Sequence, residues 1–235
     1  MRNGLRASYV NGNSLLFFAD QASLAFQEDV LISTLYCQLA ASAKHSAFNE
    51  AADWRQRYFN ALTSFRCTIV YRDVQNLPLD PDETIWARLK GMLGKRVSAA
   101  LIEAAETAIT NLTTHADHEA SALLRKQTVQ LDSHNDPDSG TQESKEVYDV
   151  ALQLGFMDAT PTMHLVLFSF KSASPVSGLP LADLFSSSVI IGDLHVAIVS
   201  AELDEHDFGY FRQGLLDKLG SRREALCMEI AGVDP

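Results

Sequence analysis

Thr162-Met163-His164-Leu165-Val166-Leu167-Phe168-Ser169-Phe170-Lys171 is the stretch on which the fold turns. Its β-branched and aromatic residues mark a strand, and its middle, Met163 to Phe168, is apolar at odd and even positions alike. A strand sends alternate side chains to opposite faces, so this one is covered on both. The sheet that holds it is therefore sandwiched, at least in part, between layers. Thr128–Ser133, Val147–Phe156 and Val189–Ser200 read as further strands. Phe65, Cys67, Ile69 and Tyr71 alternate with Arg66, Thr68 and Arg72, the pattern of a half-buried antiparallel strand.

Material for the covering layers lies mainly upstream. Asp20 to Ala43 reads as a helix with two apolar stripes: Leu24, Leu31, Leu35 and Leu39 with Ile32, and Phe26, Val30 and Cys37 nearly opposite. Two such faces describe a helix packed on both sides. A second helix spans about Phe48 to Leu62. Asp80-Pro81-Asp82-Glu83 supplies an N-cap acceptor, a first-turn proline and first-turn acids for a third. A long alanine-rich helix follows over about Lys95 to Lys126, suited to close helix packing. Downstream, Asp204 to Leu219 is a capped amphipathic helix ended by Gly220. Ser221 to Val233 leaves a short helix and an edge strand both open.

The order of these segments predicts an α+β fold, with a helical N-terminal layer packed on a mainly antiparallel sheet formed largely by the C-terminal half. Because helix and strand interleave, a single domain over 1–235 is expected. It is helix-rich over 20–126 and strand-rich over 127–200, with the helix 204–219 and an exposed polar loop over 132–146.

Thirty acidic against 19 basic residues give a formal net charge of -11, a field that repels phosphate backbones and anionic lipid surfaces. Nucleic acid is not an expected partner. A local basic patch would draw on Arg55, Arg57, Lys95, Arg96, Arg222 and Arg223. The three cysteines, Cys37, Cys67 and Cys227, have no metal-ligand spacing and an odd count, so reduced, buried thiols are expected. Leu15 to Ala19 is too short for the core of a signal peptide, and Asn11-Gly12-Asn13 interrupts its approach. The longest apolar candidate for a membrane span, Val189 to Val199, is broken by Gly192, Asp193 and His195. A cytoplasmic protein with no integral membrane segment is expected, and no cofactor motif is present.

Chemistry-bearing residues fall in four places. His115, His118 and Glu119 are candidate metal ligands at helical spacing, lacking the general base of H-E-x-x-H. Asp132, Asp136, Asp138 and Glu143 put carboxylates in one loop but do not match the EF-hand pattern. Asp204-Glu205-His206-Asp207 sets a histidine among carboxylates, a general-base arrangement in competition with helix capping. Finally, the long loop after residue 172 carries apolar Leu179, Leu181, Leu184 and Phe185, as loops that form interfaces do.

Three function classes compete. The leading one is a non-enzymatic interaction or accessory protein, using the Leu179–Phe185 loop against a protein partner or a second copy of itself. The second is a membrane-active, toxin-like protein whose two-faced helix near Leu24–Ala41 rearranges on lipid. The third is a hydrolase-like or metal-dependent enzyme built on His115–Glu119 or Asp204–His206.

Overall fold

Asn11-Gly12-Asn13-Ser14 makes the first turn of the chain. Gly12 sits at φ +62, the left-handed region where glycine carries no steric penalty. A Cβ at this position would lie 2.2 Å from Gln38 Oε1, so it would also displace the amide that accepts from the Asn13 N–H. The turn joins β1 (Leu5–Asn11) to β2 (Ser14–Ala19) as an antiparallel hairpin. The computed structural model describes residues 4–78, 84–114, 119–132, 146–159, 161–176, 181 and 190–230.

After the hairpin come α1 (Leu24–Ser42), α2 (Ala51–Ser64), β3 (Cys67–Leu77), α3 (Ile85–Leu93), α4 (Ala99–Thr114) and α5 (Glu119–Thr128). The second half holds β4 (Val129–Asp132), β5 (Val147–Met157), β6 (Thr162–Ser172), β7 (Ile190–Leu203), α6 (Glu205–Leu219), α7 (Ser221–Leu226) and β8 (Cys227–Glu229). Strand order across the sheet is β3-β7-β6-β5-β2-β1-β8, and β4 pairs with the first residues of β5. The β2–β5 pairing is parallel and the rest are antiparallel, so the sheet is mixed.

The expected arrangement of a helical N-terminal layer on a C-terminal sheet is overturned, although the α+β class stands. The first half supplies β1, β2 and β3 to the sheet, and helices cover both faces. On one face lie α1, α2, α6 and α7, from both halves of the chain; on the other lie α3, α4 and α5. The physical reason is the hairpin. Every residue of β2 is buried, so it lacks the alternation by which a half-exposed strand is recognised.

Smaller differences have local causes. Asp80 to Glu83 lies outside the described residues, and Thr84 caps α3 by accepting from the Ala87 N–H at 3.0 Å. The long helix is two, α4 and α5. Asp204 caps α6 through the Asp207 N–H, 2.9 Å. Both readings of the stretch after Ser221 are realised in turn, α7 and then β8. Leu24, counted in an apolar stripe of α1, is 69% exposed.

α1 packs under α2 and α6 and buries polar groups along with its leucines. Most of these polar groups are tied, although Gln27 Oε1 and Asn11 Oδ1 are buried without a partner. Asn11 Nδ2 donates to Leu31 O at 3.1 Å and Thr34 Oγ1 at 2.8 Å. Gln38 Nε2 donates to Asn11 O and Ser14 Oγ, and Gln27 Nε2 to Tyr9 OH. Asp29, with its side chain fully buried, receives Arg212 Nε and Nη2 from α6 at 2.6 and 2.7 Å. Breaking such ties strands buried polar atoms at about 1–3 kcal/mol each.

Candidate functional site

Among the described residues, those marked as chemical candidates stand apart from one another. His115 and His118 lie outside the described residues, and Glu119 is the exposed first residue of α5. Asp136, Asp138 and Glu143 also lie outside them. Asp132 pairs with Lys171 Nζ at 3.0 Å. Asp204 is committed to its cap, and His206 meets the Tyr210 ring edge-on at 5.7 Å. Of the apolar loop, Leu179, Leu184 and Phe185 lie outside the described residues. Leu181 is fully buried, and its carbonyl accepts from the Trp86 N–H at 3.3 Å. The basic residues disperse too: Arg96 stacks on Tyr71, Arg223 pairs with Glu28, and Arg222 reaches the Lys218 carbonyl.

A trio the sequence reading missed is His45, Glu50 and Asp53, whose ligand atoms lie within 4.8 Å of one another. Glu50 accepts from the Ser46 N–H at 3.0 Å and sits 3.3 Å from His45 Nδ1. The backbone bond, followed by the histidine, holds Glu50 below the usual carboxylate range. This is a turn closing on itself between α1 and α2.

The thiols are inert by environment. Burial pushes Cys37 well up, with Cys67 adding to it, and raises Cys67 to about 12. Cys227 rises to about 11 for the same reason. The thiolate is the reactive form. Native protein at pH 8 is therefore expected to leave Cys37 and Cys67 unmodified by a thiol reagent until denaturant is added. Prompt labelling of either one, read by mass spectrometry, would overturn this.

The two faces of the sheet differ in kind. β5, β6 and β7 are adjacent, antiparallel and 11, 11 and 14 residues long. Under α3–α5 they present Leu152, Leu154, Phe156, Val166, Phe168 and Ile198, a continuous apolar surface. The opposite face of the same strands carries Asp149, Gln153, Ser169, Lys171 and His195 alongside apolar Met163, Leu165, Leu167 and Val199.

Among the described residues, Arg88 of α3 donates to the Pro78 carbonyl just past β3 at 3.2 Å, and a second group of polar ties lies at the Asp158 corner. Asp158, just past β5, accepts from Ser98 N at 2.8 Å and from Ser98 Oγ at 2.9 Å. Arg96 stacks on Tyr71 of β3, its guanidinium 3.6 Å from the ring centroid. His164 is at this corner, with Nδ1 2.9 Å from Ser200 Oγ. Burial lowers its proton affinity; Asp158 opposes that shift and Arg96 reinforces it.

On the other face, a cavity of about 460 Å³ opens between α2 and the ends of β5–β7, lined by Arg55, Asp149, Ser169, Lys171 and His195. Asp149 Oδ1 lies 2.8 Å from Lys171 Nζ, while Oδ2 is buried with no partner. Ser169 Oγ is also buried and unpartnered. His195 Nδ1 lies 2.7 Å from Asn76 Oδ1. A narrow slot of about 20 Å³ shares Arg55 and Ser169 and adds Trp54 and Gln153, whose Oε1 is likewise unpartnered.

No family model matches the chain, and neither does any curated protein. Among solved structures, it is similar to a delta-endotoxin at 12% identity and TM-score 0.47, over 82% of this chain and 81% of that one. The activated Cyt2Ba monomer from Bacillus thuringiensis subsp. israelensis gives 12% and 0.46, over 83% and 98%. The Evf virulence factor gives 12% and 0.35, over 90% and 82%. These likenesses fall short of a shared function, so the functional reading rests on the geometry of the chain.

Proposed function

We propose that the protein is membrane-active and toxin-like, and that β5–β7 enter the bilayer once α3–α5 leave their face. The observation that carries this reading is the contrast between the two helical layers. α1 and its neighbours are held by buried hydrogen bonds and by an ion pair whose carboxylate, Asp29, is fully buried, ties that lipid cannot replace. α3–α5 rest mainly on an apolar surface, with polar ties at the Asp158 corner and from Arg88 to the Pro78 carbonyl. Hydrocarbon is as apolar as leucine, so exchanging these helices for lipid tails loses little.

Length agrees with this. A strand rises about 3.3 Å per residue, so 11 residues reach about 36 Å, against about 30 Å of hydrocarbon. One face of β5–β7 is apolar and the other mixed, the alternation of strands that face lipid on one side and water on the other. A spanning sheet must pair its edges, so several copies would assemble. No helix among the described residues is long and apolar enough to cross a membrane, which leaves strands as the spanning element. The moving layer in this reading is α3–α5 rather than α1.

The test is dye release from phosphatidylcholine vesicles, neutral so that the charge of -11 does not repel the protein. Release is expected to be faster at about pH 5.5 than at about pH 7.5. His164 is depressed in the folded state, so its stabilising contribution is present above its unfolded value of about 6.5 and is lost as pH falls through the lower folded value. Charging it sets a second cation beside Arg96 at the Asp158 corner. His164→Asn is expected to flatten the pH dependence. An absence of release at both pH values would sink the reading.

A further inference from the structure

Arg55 sits half-buried on α2, in the wall shared by the large cavity and the slot. Among the described residues it has no hydrogen-bond or ion-pair partner. Its nearest charged influence is a second cation, Arg72, and burial followed by Arg72 lowers its proton affinity. A guanidinium withdrawn from water without a carboxylate is unusual, because desolvation is normally offset by pairing. Across the same cavity lies the complementary defect. Asp149 is 2% exposed, one oxygen engaged by Lys171 and the other aimed at no donor.

Both groups line one cavity without forming an ion pair with each other, together with Lys171 and Asp193. Ser169 lines the same cavity, opposite Ala151 on β5 and His195 on β7 in the sheet register, with a buried, unpartnered hydroxyl. A cation, an anion and a donor–acceptor hydroxyl around a volume of about 460 Å³ make a built polar site.

We infer that this cavity binds a small zwitterion of the α-amino-acid class, its carboxylate on Arg55 and its ammonium on Asp149. A simple anion would satisfy Arg55 but leave Asp149 Oδ2 without a donor. A simple amine would satisfy Asp149 Oδ2 but leave Arg55 unpaired. A molecule with both charges a few atoms apart answers both defects. Carboxylate suits the fork of a single guanidinium, which can donate two parallel hydrogen bonds to it. Ser169 Oγ is placed to contact either end. The inference is independent of membrane activity, because the cavity lies on the face opposite α3–α5.

The test is isothermal titration of the whole chain, without lipid, using glycine, acetate, methylammonium and O-phosphoethanolamine in turn. Glycine is expected to give saturable heat and a raised Tm, with acetate and methylammonium each at least about tenfold weaker. Arg55→Gln breaks no described contact and is expected to weaken glycine about tenfold or more. Asp149→Asn is expected to do the same; should it lose its fold with the Lys171 pair, Ser169→Ala provides the second variant, with folding checked by circular dichroism. Acetate binding as well as glycine would reduce the site to an anion site and overturn the inference. So would methylammonium alone, O-phosphoethanolamine without glycine, glycine binding untouched by Arg55→Gln, or no heat from any probe.

Discussion

Oxidised Ser98→Cys/Asp158→Cys protein is expected to release no dye from phosphatidylcholine vesicles, and dithiothreitol is expected to restore release to the rate of the reduced variant. Ser98 precedes α4 and its hydroxyl accepts from the Leu101 N–H, while Asp158 follows β5. Their side chains meet end to end at 2.9 Å, so the two positions are neighbours across the boundary between helix layer and sheet. The bond would join the α3–α5 layer to the sheet where Ser98 already bonds Asp158. It would close a loop of 60 residues, worth about 4 kcal/mol by the chain-entropy argument. The lost cap and its partner would subtract about 1 kcal/mol. Cys37 and Cys67 are buried and held as thiols, so they do not compete. Asp158→Ala alone should act in the opposite direction, releasing the corner and shifting the onset of dye release towards neutral pH. If the oxidised clamp leaks like the reduced one, the departure of α3–α5 is not the opening step.

The largest stability effect is expected at Arg212. Its guanidinium is partly exposed, but it is the hydrogen-bonding partner of Asp29, whose side chain is fully buried between α1 and α6. Arg212→Leu leaves that carboxylate charged and alone. Removing one member of a buried pair typically costs about 3–5 kcal/mol, a large share of the about 5–15 kcal/mol that holds a domain together. Urea denaturation should show a lower midpoint with an unchanged slope. The double variant Asp29→Leu/Arg212→Leu is expected to regain most of the loss, because the penalty is an unpaired charge rather than a missing contact. A single-variant loss below about 1 kcal/mol would mean that water reaches Asp29.

These effects were unequally visible in the amino-acid order. β5, β6 and β7 could be read because β-branched and aromatic residues crowd them, and α6 because Asp204 and Gly220 bracket an amphipathic run. β2 could not, since Leu15-Leu16-Phe17-Phe18 is buried throughout and shows no period. Its signal was the Asn11-Gly12 pair, a strong short-range mark of a hairpin. The Asp29–Arg212 tie spans 183 positions, and no local pattern announces it. The cavity was equally hidden. Arg55, Asp149, Ser169 and His195 come from four elements, and only strand register sets them side by side. Arg55 did stand out as a basic residue, but its meaning depends on the carboxylate it lacks.

The parallel pairing of β2 with β5 has a consequence for biosynthesis. Phe17 stands opposite Phe156 in that register, 139 positions later in the chain. At about 5–20 residues per second, the ribosome needs on the order of ten seconds to supply the neighbour that β2 awaits. Through that interval a nascent segment rich in leucine and phenylalanine has only β1 to cover one of its edges. Such a chain is a natural client for ribosome-associated chaperones, and its yield should depend on their supply more steeply than its final stability does.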